Sequence, residues 1–313
     1  MRKNWRGLLA LLILLALLGG SLQIGPAGFL SWQDDGPLMH LRVARTILAL
    51  AEGSGLALCG LILQGLFRNP LVDASLLGVA PATCLGGLLV LLLGAPGWLL
   101  PLAGSVAALV VLSLLLLSLR RRSALSSVLL MGLALNAVLG ACLQLLLAVL
   151  PADRLAGAWA WLQGSFAQSR SSMALALLVT VMLVYAVVWH QRRALDWLLL
   201  GTQAARSAGI DSVALQRHLI VLAAVLTAAL VSQAGVVGFI GMMAPALVRW
   251  GLPGGHARWL PWSVAVGGFL ALFADILARV LLAPAEVPVG VVSSLLGAPV
   301  FLWLLIGQRG ALR

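Results

Sequence analysis

The chain has 313 residues, 62% of them apolar and only 9% charged, with a mean hydropathy of +1.09 and a net charge of +11. A water-soluble domain carries about 25% charged residues, so a soluble fold is excluded and most of this chain must lie in lipid. The positive charge does not signal nucleic acid, because the arginines sit at helix ends and in short loops, without a basic tract.

A membrane-spanning helix needs about 20 apolar residues, and about ten stretches qualify. They are 8–23, 44–64, 75–93, 98–119, 124–149, 171–189, 218–234, 237–249, 259–281 and 289–306. The expectation is an all-α membrane protein, one transmembrane domain over 1–313. Arg2, Lys3 and Arg6 precede the first stretch as in a signal peptide, but no small-x-small cleavage site follows, so an uncleaved span is expected. The second stretch is preceded by Arg42, opens with Arg45 close behind it, and contains Glu52. It leads into Gln64–Gly78, where Arg68, Asn69, Pro70 and Asp73 form a tight turn bracketed by Gly65 and Gly78. The fifth stretch holds Asn136 and Gln144, polar residues that either face a pathway or bond a neighbouring helix. Cys59, Cys84 and Cys142 lie in apolar stretches without metal-ligand spacing and read as small buried residues.

Residues 190–217 are too polar to span and too long for a turn. They read as two short helices, with Gly201 and Gly209 as their stops. Leu195, Leu198 and Leu199 form an apolar face on the first, and Ala204, Ala205 and Ala208 a small-residue face on the second. Such a pair suits either a protein docking surface or a helix lying on headgroups. Further on, Gly235, Gly238 and Gly241 predict a tight bend between the seventh and eighth stretches. Pro245 breaks the eighth, and Pro284, Pro288 and Pro299 suggest interrupted helices, tolerated where backbone is buried in protein or lines a cavity.

With the N-terminus cytoplasmic, fifteen of the 20 basic residues fall on the cytoplasmic side. This agrees with the positive-inside rule and puts both termini inside. Arg42, Arg45, Arg154, Arg170 and Arg279 fall outside; there they either snorkel to headgroups or serve a function.

The single lysine, Lys3, excludes a G-x-x-x-x-G-K-[ST] phosphate loop. A gradient-driven carrier needs ionisable groups at mid-membrane. Only Glu52 and Asp275 lie well inside spans; Asp275 shares a helix face with Arg279, and Glu52 with Arg45. Two paired acids make a poor proton relay. The four histidines, His40, His190, His218 and His256, are scattered at span ends, and no G-x-S-x-G or H-E-x-x-H occurs. No catalytic or metal constellation is legible.

The chain resembles the FecCD-type permeases, the transmembrane subunits of ABC importers for iron chelates, haem and cobalamin, from about Arg42 to Trp303. The resemblance rests on Arg42-x-x-Arg45, on Q-G-L-F-R-N-P-L-x-D at 64–73, and on L-G-x-x-x-A-R-x-x-G through Leu200, Gly201, Ala205, Arg206 and Gly209. It continues with G-F-I-G at 238–241 and the ending A-D-x-x-A-R…P-A-E-x-P-V-G-V-V…G-A-P-x-F-x-W-L-L over 274–305. It implies a bacterial inner-membrane, multi-pass subunit without enzymatic activity or cofactor. It implies pairing with a second permease chain, two ATP-binding subunits docking on Leu199 to Gly209, and a periplasmic binding protein meeting Arg42, Arg45 and Arg279. Iron(III) chelates, as siderophores or ferric citrate, head the substrate expectation by breadth in the family; haem and cobalamin follow, and an ion-gradient carrier is the remote alternative. Asn136, Gln144 and Pro299 are the pathway candidates.

The departures are Val43-Ala44 where family members commonly have Leu-Pro, Ala246 after Pro245 where histidine is usual, and Glu52 where an apolar residue is usual. They leave homodimer and heterodimer equally open.

Overall fold

The computed structural model describes residues 17–25, 28–29, 36–120, 125–167 and 169–311. Of the first expected span, only 17–23 fall within them, and these are helical. A two-residue antiparallel pair follows, β1 (Ile24–Gly25) with β2 (Gly28–Phe29). Among the described residues, apart from an isolated bridge between Leu282 and Ala285, the remaining regular structure is helical.

In chain order the helices are α1 (Gly36–Phe67), α2 (Val79–Leu92), α3 (Leu100–Arg120), α4 (Leu125–Val149), α5 (Ala152–Leu162) and α6 (Ser171–His190). Then come α7 (Arg192–Leu199), α8 (Thr202–Ser207), α9 (Ser212–Ala234), α10 (Ile240–Gly251), α11 (His256–Val280) and α12 (Val289–Ala311). Nine of the ten expected stretches coincide with helices at about the expected bounds, within the end fraying such assignments carry. By length and composition, six of these helices can cross a membrane: α1, α3, α4, α6, α9 and α11.

The polar segment after α6 is shorter than 190–217. Asp211 ends it, accepting hydrogen bonds from Val213 N and Ala214 N at 3.0 Å each, so that residues 212–217 already belong to α9. Ahead of α6, the short helix α5 stops at Leu162, and Gly164, at φ +82°, turns the chain away.

The core is organised around α1. Its most apolar stretch is 83% buried inside the chain, against 11% for α4. The long helix α1 packs on α6, α9, α10 and α11, while α4 lies at the rim, turning Leu130, Val138 and Leu145 outward. Glycine sets the α1 contacts. A methyl at Gly53 would overlap Gly267 O on α11, and one at Gly60 would overlap Gly241 O on α10. Small residues at such crossings let membrane helices approach to backbone contact.

The expected bend is present: residues 235–239 are non-helical, with Gly235 at φ +74° and Phe239, unusually for a bulky residue, at φ +65°. Pro245 lies in mid-α10, where its missing N–H deprives the carbonyl four residues back, Gly241 O. Gln64 of α1 fills that vacancy: its Nε2 donates to Gly241 O at 3.4 Å and Met242 O at 3.3 Å, while its Oε1 accepts from Arg249.

Candidate coupling face, outer ion network and pathway

At one end of the bundle the 64–78 turn meets the short helices. Asn69 Oδ1 accepts from Leu71 N at 2.9 Å, Pro70 sets the corner, and Asp73 Oδ1 accepts from Ala74 N at 2.7 Å, starting the 3₁₀ turn Ala74–Leu77. Gly78 closes that turn at φ +75°. Burial pushes the Asp73 carboxyl above the usual range, opposed by the Ala74 N–H. Arg68, at φ +50°, extends toward α8: a Cβ on Gly201 would stand 3.6 Å from its Nη1. The turn therefore lies beside the short helices, bringing two sequence motifs to one surface.

The exposed face of that surface differs from the expected one. Leu195, Leu198, Gly201 and Ala205 point inward, and Leu199 is half-buried. Leu200 (71% exposed), Trp197 (43%), Arg206, Ala208 and Gly209 face outward. The amphipathic period of α7 identifies its buried leucines but leaves open whether they face a partner or the chain's own core; here they face the core.

At the opposite end, the three arginines expected to meet a binding protein, Arg42, Arg45 and Arg279, are engaged within the chain. Arg42 donates to Leu22 O (2.8 Å) and Gln23 O (2.9 Å), capping the helix over 17–23. Arg45 reaches Asp275 (2.8 Å) and Glu286 (2.9 Å), and Arg279 reaches Asp275 (2.6 Å), Ser21 O (3.0 Å) and Ser21 Oγ (2.9 Å). Ser21 in turn bonds Thr46 at 2.8 Å. Asp275 is fully buried and Arg279 almost so, whereas the Glu286 side chain is 28% exposed. The Asp275–Arg279 pair stands as expected. The expected partner of Arg45 does not: Glu52, two turns deeper, is fully buried, and neither carboxyl oxygen has a hydrogen-bond partner among the described residues. Helix phase alone favoured Glu52; α11 and the 282–287 loop bring two acids closer, which no local spacing reveals.

A cavity of about 630 Å³ opens between the end of α5, the 235–239 bend and α12. Leu162, Gln163, Val236, Gly238, Phe239, Gly290, Val291, Ser294, Leu295, Ala298 and Pro299 line it. Pro299 is thus at the cavity wall. Asn136 is elsewhere, donating Nδ2 to Ser75 O at 2.7 Å and so tying α4 to the turn; Gln144 is exposed on the rim of α4. Among the described residues no cluster of His, Cys, Asp or Glu could hold a metal ion.

The profile of the FecCD transport family matches residues 8–307, nearly the whole chain. The chain belongs to the FecCD transport family. This FecCD permease is 38% identical over 279 residues to the hemin transport system permease protein HmuU of Yersinia pestis, covering 87% of this chain and 83% of that protein. It is 34% identical over 306 residues to the vitamin B12 import system permease protein BtuC of Klebsiella pneumoniae, covering 97% and 92%. Its fold matches a solved chain assigned to a metal-chelate type ABC transporter in an inward-facing conformation, with a TM-score of 0.87 and 31% identity over 95% of this chain and 97% of that one. The FecCD permease was legible in its motifs. Gln64 as a stand-in donor, Glu286 as an ion partner and the Asp196–His256 contact of α7 with α11 were not. Only the first left a trace, since a proline inside a helix demands a donor from somewhere.

Proposed function

We propose that this permease forms the translocation pathway of an ATP-driven, binding-protein-dependent importer in the bacterial inner membrane. It crosses the membrane about ten times, with both termini cytoplasmic. It pairs with a second permease chain, leaves ATP hydrolysis to two separate subunits, and receives cargo from a periplasmic binding protein. Family membership over 8–307 is the observation that carries this reading. The outward-facing Leu200, Trp197 and Arg206, with Arg68 close by, give the ATP-binding subunits an apolar and cationic surface.

The three arginines divide their labour at the other end. A carboxylate approaching Arg42 competes, among the described residues, with two backbone carbonyls, whereas one approaching Arg279 must disrupt a buried pair. Arg42 is therefore the guanidinium that meets the binding protein, and Arg45 and Arg279 hold its platform.

The cargo is a metal chelate: an iron(III) siderophore or ferric citrate in the first reading, haem or cobalamin in the second, which the 38% identity to a hemin permease and the 34% identity to a vitamin B12 permease favour. The wide, mostly apolar cavity supports a bulky solute held weakly. Proteoliposomes holding the complete complex should accumulate one of ferric siderophore, ferric citrate, hemin or cyanocobalamin only with ATP and binding protein present. Accumulation by the permease alone would overturn the reading.

A further inference from the structure

Asp196 stands on α7, in the segment on which the importer reading seats the ATP-binding subunits, yet its carboxylate turns toward α11. Its Oδ1 accepts from the backbone N–H of His256, the first residue of α11, at 2.8 Å, and from His256 Nδ1 at 2.6 Å. The imidazole is 1% exposed and fills the space beside α1, where a Cβ on Gly65 would stand 3.2 Å from Nε2. Gly255 allows the approach: a Cβ there would lie 2.8 Å from both Asp196 oxygens. An anion at this position also meets the positive end of the α11 dipole.

From that clasp α11 runs 25 residues, about 36 Å. Its far end carries Asp275 and Arg279, locked to Arg45. Between the ends it is seamed to α1 by backbone contact at Gly53 and Gly267, and by Ser54 Oγ donating to Val264 O at 3.0 Å. Interfaces packed this closely move as rigid bodies instead of deforming continuously. We propose that Asp196 is a positioning residue: through His256 it clamps the coupling segment to α11, so that movement of the segment is delivered along the α1–α11 pair to the Arg45–Asp275–Glu286 network at the opposite end.

This rests on the importer reading, and the test separates the two. The complete complex in nanodiscs is assayed for ATP hydrolysis with and without binding protein carrying the chelate selected by the uptake assay. Asp196→Ala should leave subunit co-purification and basal hydrolysis unchanged while lowering the binding-protein-stimulated part about tenfold, within the usual range of inter-site coupling. Asp196→Asn keeps an acceptor for the His256 N–H and should restore most of it. A covalent replacement guards against a merely structural effect. In a Cys142→Ser background, Asp196→Cys with Gly255→Cys places the Cβ atoms within about 4.5 Å, in disulfide range. Stimulation should return on oxidation and vanish on reduction. Full stimulation in Asp196→Ala, or no difference between the oxidised and reduced pair, overturns the clamp. A wild-type complex without stimulation overturns the importer reading instead.

Discussion

Asp275 is the residue on which one end of the molecule turns. It is buried, carries two guanidinium partners, and has no route to solvent. Glu286 shares Arg45 but is partly exposed. Magnitudes separate the two. Removing one partner of a buried pair costs about 3–5 kcal/mol because a charge is left uncompensated, whereas a partly exposed pair contributes about 0–1 kcal/mol. Asp275→Ala should therefore lower the unfolding midpoint in detergent sharply, and Glu286→Gln barely; equal effects would contradict the burial difference. Residue chemistry also shows what spacing can and cannot predict. The i,i+4 step from Asp275 to Arg279 is local, and it was readable. The seven-residue step from Arg45 to Glu52 was equally regular, yet Arg45 reaches across to another helix and Glu52 has no hydrogen-bond partner among the described residues.

At the scale of elements, the helices follow from apolar runs and the breaks from proline and glycine. The crossings depend on side chains that are absent. Gly60 faces Gly241 O directly, so Gly60→Val forces α1 and α10 apart and takes Gln64 out of reach of the carbonyl left bare by Pro245. Expression should fall and the purified chain should unfold at lower temperature. Gly140, where an added methyl would meet nothing within 4 Å, is the control: Gly140→Ala should leave the midpoint unchanged or raise it, since alanine favours helix by about 1 kcal/mol over glycine. The α7–α8 segment was legible as a helical pair because its composition departs so far from its surroundings. Its orientation was not, because an amphipathic pattern names a buried face without naming what buries it.

At the scale of the whole molecule, the two ends proposed to meet partners are joined through the packed α1–α11 pair. One end presents Leu200, Trp197 and Arg206; the other presents Arg42 above an internal ion network. In the proposed importer, encounter of an acidic binding protein with Arg42 is steered by charge, and such steering is screened over about 10 Å at 0.1 M salt. Arg42→Glu should accordingly weaken binding-protein association strongly at low ionic strength and much less at high, leaving the assembled complex intact. Titration of association against salt is the check, and a salt-independent loss would point to misfolding instead.

The sequence by itself determined that this is a helical membrane protein, where its helices run, and to which transport family it belongs. Those properties reside in composition, in apolar run length and in short contiguous motifs. Only the tertiary structure decided which charges pair, which face of the α7–α8 segment is exposed, and that Pro299, not Asn136 or Gln144, reaches the cavity. Such facts depend on contacts between residues as far apart as Arg45 and Glu286, and in a nearly uniform apolar chain each helix offers several faces of similar hydropathy. The fit of glycine against backbone selects among them.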